Sequence, residues 1–187
     1  MHSDGSYESA YAWAYERCLP PDYGSFAERY EGCEQVTAVV LDVTDDGYFD
    51  NQFLDAYVWG DDGGVPGGVL AVQLDEHLPA VPAWPEVGRY SVGLTEPPSV
   101  DGVWWVGFWG RWAHMDPGFW IGADQNGPGG GSPKTKIAPG QQWPEGWQDV
   151  PAEWGPTAAL GIGAEVEECP TLVESPTWGA IKALFRR

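Results

Sequence analysis

Glycine and proline interrupt this chain so often that helices have almost no room to form. The 26 glycines and 17 prolines are spread through 187 residues, and only Ala12 to Arg17 and the C-terminal end keep apolar residues at helical spacing. Between these breaks lie short apolar or alternating runs, the pattern of many short strands joined by tight turns. A chain of this length supports one main domain with its own core.

The runs themselves are distinct. Residues 36–43, "VTAVVLDV", are β-branched and apolar on both faces, as a strand buried in a sandwich requires. They lead into "TDDGYFDNQ", whose Asp-Gly step marks a turn. In "FLDAYVW", Phe53, Asp55, Tyr57 and Trp59 alternate with Leu54, Ala56 and Val58, so this run pairs with the previous one as a hairpin or faces it across a sandwich. Further strands are expected at "VLAVQL", "RYSVGL", "VWWVGFW" and "FWIGAD", with "ALGIGAEV" closing the domain. The run "VWWVGFW" is large and apolar on both faces, which places it centrally in its sheet. Gly161 and Gly163 in the closing strand mark a place where something packs close to the backbone. The segment from Gln125 to Gln148 has no period and reads as a long loop.

These runs predict an all-β fold, an antiparallel β-sandwich of the jelly-roll kind with about eight to ten strands. The sandwich is expected over residues 1–167, with a linker and a short amphipathic helical tail over 168–187. In that tail Ser175 suits an N-cap, Pro176 suits the first helical position, and Trp178, Ile181, Leu184 and Phe185 fall on one face. So short a helix is marginal alone in water and is expected to be docked on something or disordered.

Charge excludes some partners. The chain has 28 acidic and 9 basic residues, a formal charge of −19, and three of the basic ones (Lys182, Arg186, Arg187) are in the last six positions. A phosphate backbone needs a basic footprint, so nucleic acid is excluded as the expected partner, and so is an anionic membrane surface. No run is long and apolar enough for a membrane span. The N-terminal "MHSDGSYESAYAW" has neither the basic start nor the apolar stretch of a signal peptide. The three cysteines allow one disulfide, expected between Cys18 and Cys33. That bridge would close a loop of about 15 residues, which the chain-entropy model values at roughly 3 kcal/mol.

Several quoted segments also resemble a family. "DGSYESAYAW", "PPDYGSFAERY", "LDAYVWGDDGGVPGGVLAV", "VWWVGFWG", "WIGADQNGPGGG" and "WGPTAALGIGAEV" are similar to a β-sandwich domain of uncharacterised function found in large secreted or surface-associated bacterial proteins. The closing "TWGAIKALFRR" resembles a short C-terminal signature that such proteins carry after their last domain. The pieces cover most of residues 4–187. The resemblance implies an extracellular or cell-surface location and an architecture more than an activity, and its members begin with an export signal.

Three kinds of chemistry are within reach. A sugar site needs exposed flat indoles with polar groups at the rim. Its candidates are Trp84, Trp112, Trp143 and Trp147, with Asp124, Gln125 and Asn126 on the adjoining loop, whereas Trp59, Trp104, Trp105, Trp109 and Trp120 are assigned mainly to the interior or to packing on its outer face. A calcium site needs clustered carboxylates. Asp42, Asp46 and Asp50 follow the early spacing of an EF-hand loop, but Phe53 stands where the bidentate Glu belongs; Asp4, Glu8 and Glu165 form a second candidate set. A glycosidase needs two carboxylates roughly 5 Å or 6.5–9.5 Å apart. The free acids Glu86, Glu96, Glu145 and Glu153 are all in turns. The function expected is a non-catalytic extracellular interaction module, either binding polysaccharide or a surface protein or forming a structural subunit that self-associates through its tail. The alternative is a β-jelly-roll glycoside hydrolase.

Overall fold

A computed structural model describes residues 1–13, 23–47, 53–110 and 118–169. Its strands, in chain order, are β1 (Ser9–Tyr11), β2 (Phe26–Glu31), β3 (Glu34–Thr44), β4 (Phe53–Asp61), β5 (Pro66–His77), β6 (Gly88–Gly93), β7 (Ser99–Val100), β8 (Val103–Gly110), β9 (Trp120–Asp124), β10 (Lys134–Ile137), β11 (Gly146–Asp149), β12 (Ala159–Leu160) and β13 (Ile162–Glu168). A single helical turn, α1 (Val150–Glu153), follows β11.

The strands form two antiparallel sheets. One has seven strands, with β1-β9-β3-β13 along its path and β6, β7 and β12 paired onto β3 and β9. The other has six, in the order β11-β10-β2-β8-β4-β5. The expected all-β sandwich is thus present as two packed sheets, with more strands than anticipated. β3 and β4 are in different sheets, so they face each other across the sandwich and are no hairpin. β8 lies between β2 and β4, the central place its two apolar faces call for.

One core fills the space between the sheets. It takes Val36, Val39, Leu41 and Val43 from β3, Leu54, Ala56 and Val58 from β4, Trp104, Val106 and Phe108 from β8, and Ile121 and Ile162 from the opposite sheet. Outward-facing residues of β2, β4 and β8 build a second cluster on the outer face of the six-stranded sheet: Ala27, Tyr57, Trp59, Trp105 and Trp109, with Trp147 packed against it. Four of the five tryptophans assigned to the interior are buried, and Trp120 is half-buried.

Two expectations are corrected. Cys33 is bonded to Cys169 and not to Cys18, which lies outside the described residues. The reason is register: Glu34 pairs with Glu168, so the next residues along the antiparallel ladder, Cys33 and Cys169, stand side by side with Cα atoms 5.7 Å apart. Loop length favoured the neighbour in sequence, whereas strand pairing brought together residues 136 apart. Second, the stretch from Gln125 to Gln148 is no continuous loop, because β10 and β11 within it extend the six-stranded sheet beyond β2. The expected helical tail lies outside the described residues, among which no helix is long and apolar enough to cross a membrane.

Candidate functional site

The outer face of the seven-stranded sheet carries an open cleft of about 320 Å³, lined by Glu8, Ser9, Ala10, Thr44, Asp45, Asp46, Trp84 and Trp120. Strand register assembles it. Thr44, at the end of β3, pairs with Trp120 at the start of β9, and Ala10 of β1 pairs with Gly122 on the far side of β9. Beyond Thr44 the chain is stitched to the segment carrying Trp84. Asp45 N–H donates to the Pro82 carbonyl and Trp84 N–H to the Asp45 carbonyl, each at 2.9 Å. Asp45 Oδ1 also accepts from Gly47 N–H at 2.7 Å, which holds the turn.

Two indoles of different exposure meet in this cleft. Trp84 is 43% exposed, enough for an apolar ring to lie on it. The Trp120 ring is half-buried, and its indole N–H is buried with no acceptor among the described residues. Around them are acceptors: Glu8, whose Oε2 takes Gln125 N–H at 2.8 Å, and the carboxylates of Asp45 and Asp46. Among the described residues no lysine or arginine lines the cleft. Such a surface offers flat apolar faces and anionic acceptors for hydroxyl groups.

The sequence candidates divide around this cleft. Trp84, Glu8 and Asp46, assigned to two different chemistries, share it. Asp124 is wholly buried; its carboxylate holds the backbone N–H groups of Asp4 at 3.1 Å, Asn126 at 3.1 Å and Gly127 at 2.6 Å, so it shapes a turn and is closed to a ligand. Gln125 and Asn126 are exposed on that turn. Trp143 is half-buried, edge-on to Trp13 at 5.7 Å. Trp147 is half-buried on the other sheet's outer face, beside Trp59 and with the Lys136 ammonium 5.6 Å from its ring centre. Trp112 and Asp50 lie outside the described residues.

The calcium candidates are dispersed. Asp42 and Thr44 are still in strand β3, so the run from Asp42 to Asp46 does not curl as an EF-hand loop would. The Asp42 carboxylate is engaged by Arg89, with Nε to Oδ1 and Nη2 to Oδ2 both at 2.7 Å, and it accepts the Tyr7 hydroxyl. That pairing, through hydrogen bond and charge, raises Arg89 above its ordinary range, while burial and then the Asp42 hydrogen bond raise Tyr7. Glu165 accepts from Ser91 Oγ at 2.7 Å, and Asp4 is held by Ser6, whose hydrogen bonds lower its carboxyl. Among the described residues no three Cys, His, Asp or Glu side chains converge as a metal site.

Tyr7 crosses the sheet where side chains would obstruct it. A Cβ on Gly122 would come within 2.8 Å of the Tyr7 ring, and one on Gly161 within 2.8 Å of Asp42 Cβ. The close approach read from Gly161 is therefore the seat of the N-terminal segment. Sequence reasoning missed Asp45 and Trp120 as lining residues. Ile121 and Ala123 point inward, so Trp120 takes the outer-face placement, one of the two the sequence left open for it.

A buried carboxyl lies between the sheets. Glu28 of β2 is fully buried; its Oε1 accepts Leu160 N–H at 2.7 Å and its Oε2 accepts Ser132 N–H at 2.9 Å. Burial pushes the carboxyl up to about 7, against the lowering effect of these backbone hydrogen bonds. It ties β12 and the glycine-rich segment to the opposite sheet, and its position is structural.

Searched against protein-family models, curated proteins and solved structures, the chain matches none of them.

Proposed function

We propose that this chain is a non-catalytic carbohydrate-binding module of an extracellular or cell-surface protein, built on a sandwich of the jelly-roll kind. The observation that carries the reading is the meeting of an exposed indole, Trp84, and a half-buried one, Trp120, in one cleft rimmed by carboxylates. A pyranose presents C–H faces for the indoles and hydroxyl groups for the carboxylates. The Cys33–Cys169 bond supports an oxidising location, where disulfides persist. The acidic surface supports a soluble, uncharged partner over a polyanion.

The test is titration of the purified chain with a panel of soluble polysaccharides, with calcium and with chelator, read by calorimetry and by tryptophan fluorescence. Saturable binding to at least one glycan is expected, lost in Trp84→Ala and weakened in Trp120→Ala, which removes the second ring of the cleft. Binding that both variants retain would place the site elsewhere, and no binding to any glycan would sink the reading.

A further inference from the structure

β5 is the edge of the six-stranded sheet and pairs only with β4 among the described residues. It is long, Pro66–His77, and its middle is apolar and open: Val69 is 50% exposed, Leu70 49%, Val72 41% and Leu74 55%. These residues line a shallow groove of about 510 Å³ together with Gln73, Thr95 and Glu96. A long apolar edge invites uncontrolled strand pairing, and folded proteins cover such edges with a helix or a loop. The groove borders acidic groups: Glu96 lines it, and Asp75 and Glu76 follow Leu74 along the strand.

We propose that the occupant is the chain's own C-terminal segment, residues 176–187, docked on this edge as an amphipathic helix in the same molecule. Trp178, Ile181, Leu184 and Phe185 form one stripe at helical spacing, which meets Val69, Leu70, Val72 and Leu74. Lys182 and Arg186, four residues apart on one flank of that stripe, face Glu76 and Glu96. Each side resolves a difficulty of the other, because so short a helix is marginal without a docking surface and the edge is a liability without a cover. A second copy of β5 fits less well: it would bring acidic borders together on a chain of charge −19, whereas the tail carries three of the nine basic residues.

The tether is long enough. Cys169 is held at Cys33, and Glu34 pairs with Glu168 on one side and Val100 on the other. Two strand spacings separate Glu168 from Val100 by about 10 Å. Glu96 is at most about 14 Å further along the chain, so residues 170–176, spanning about 24 Å when extended, reach the groove. The short tether also gives the tail a high effective concentration at this edge.

Zero-length carbodiimide cross-linking of the full chain, with the monomer isolated by gel filtration and its peptides mass-mapped, tests this together with amide hydrogen exchange. The expected products are Lys182 amide links to Glu76 or Glu96 within the monomer. Tail amides 178–185 are expected to exchange at least tenfold more slowly than in the Val72→Asp/Leu74→Asp double variant. Because both substituted side chains are exposed, the variant keeps its fold, and Trp178→Ser provides the same comparison from the tail side. Tail amides that exchange at the unprotected rate in the wild type would overturn the proposal, as would Lys182 links found only in dimers. Glycan binding at the Trp84 cleft is independent of both outcomes.

Discussion

The outer face of the six-stranded sheet is aromatic and buried, whereas that of the seven-stranded sheet is polar, bridged by hydrogen bonds and partly open. On the first, Tyr57 and Trp59 stack with ring centres 5.0 Å apart, and Trp105 is fully buried with its indole N–H on Asp61 Oδ1 at 2.8 Å. On the second, Arg89 and Tyr7 converge on Asp42, and the Trp84 cleft opens beside them. Both sheets turn apolar side chains inward, so the contrast lies in what the alternate positions carry. An outer face filled with indoles acts as a second core and stabilises by transfer from water. A face held by hydrogen bonds contributes less to stability and leaves room for a ligand.

Substitutions test that contrast, beginning with the largest effect. Trp105→Ala removes the centre of the aromatic face, and the expected loss is about 3–5 kcal/mol, read as a fall in the urea midpoint. A loss under 1 kcal/mol would mean that the cluster is no second core.

Glu28 supplies the polar counterpart between the sheets. Its carboxyl is raised from 4.5 to about 7, so the folded state holds a proton that the unfolded state has released. Stability from this group is therefore fully present below pH 4.5 and is lost as pH rises through 7, by on the order of 3 kcal/mol. Urea unfolding across that pH range should show the decline in the wild type and a flatter profile in Glu28→Gln. Equal slopes would show that Glu28 titrates normally.

The polar outer face ranks next. Asp42→Asn weakens the bonds to Arg89 and Tyr7, and about 1–2 kcal/mol is expected, given that the Arg89 side chain is 60% exposed. Faster amide exchange in residues 3–8, with little change in β4 and β8, would identify the loss as detachment of the N-terminal segment. The smallest effect on stability belongs to Trp84→Ala, within about 0.5 kcal/mol, because the ring is exposed. If the melting temperature fell by many degrees, Trp84 would be a structural residue and the open cleft would lose its meaning.

Much of the fold was legible. Residues 36–43, 53–59, 69–74, 89–94 and 103–109 read as strands because their β-branched and aromatic residues are flanked by turn chemistry, and each lies in an observed strand or runs one residue past it. β10 escaped because "KTKI" offers only four residues of alternation between Pro133 and Pro139, with Ile137 buried and Lys136 half-buried. β2 escaped because its inward positions include Glu28, a charged residue that local reasoning assigns to the surface. The candidate site was half legible: Trp84 stood out beside prolines, while Asp45 and Trp120 join it only through the pairing of β3 with β9.

The sequence by itself determined the class of fold, since glycine and proline spacing excludes long helices and period-two runs require sheets with a shared interior. It also determined that β8 would be central, because only a strand covered on both sides tolerates large apolar residues on both faces. The tertiary structure alone decided that Cys33 joins Cys169, that Asp42 serves Arg89 and Tyr7 instead of a metal, and that Glu8, Asp46, Trp84 and Trp120 share one cleft. Those outcomes depend on which strands pair and in what register, a long-range choice set by packing over the whole core and carried by no local run of residues.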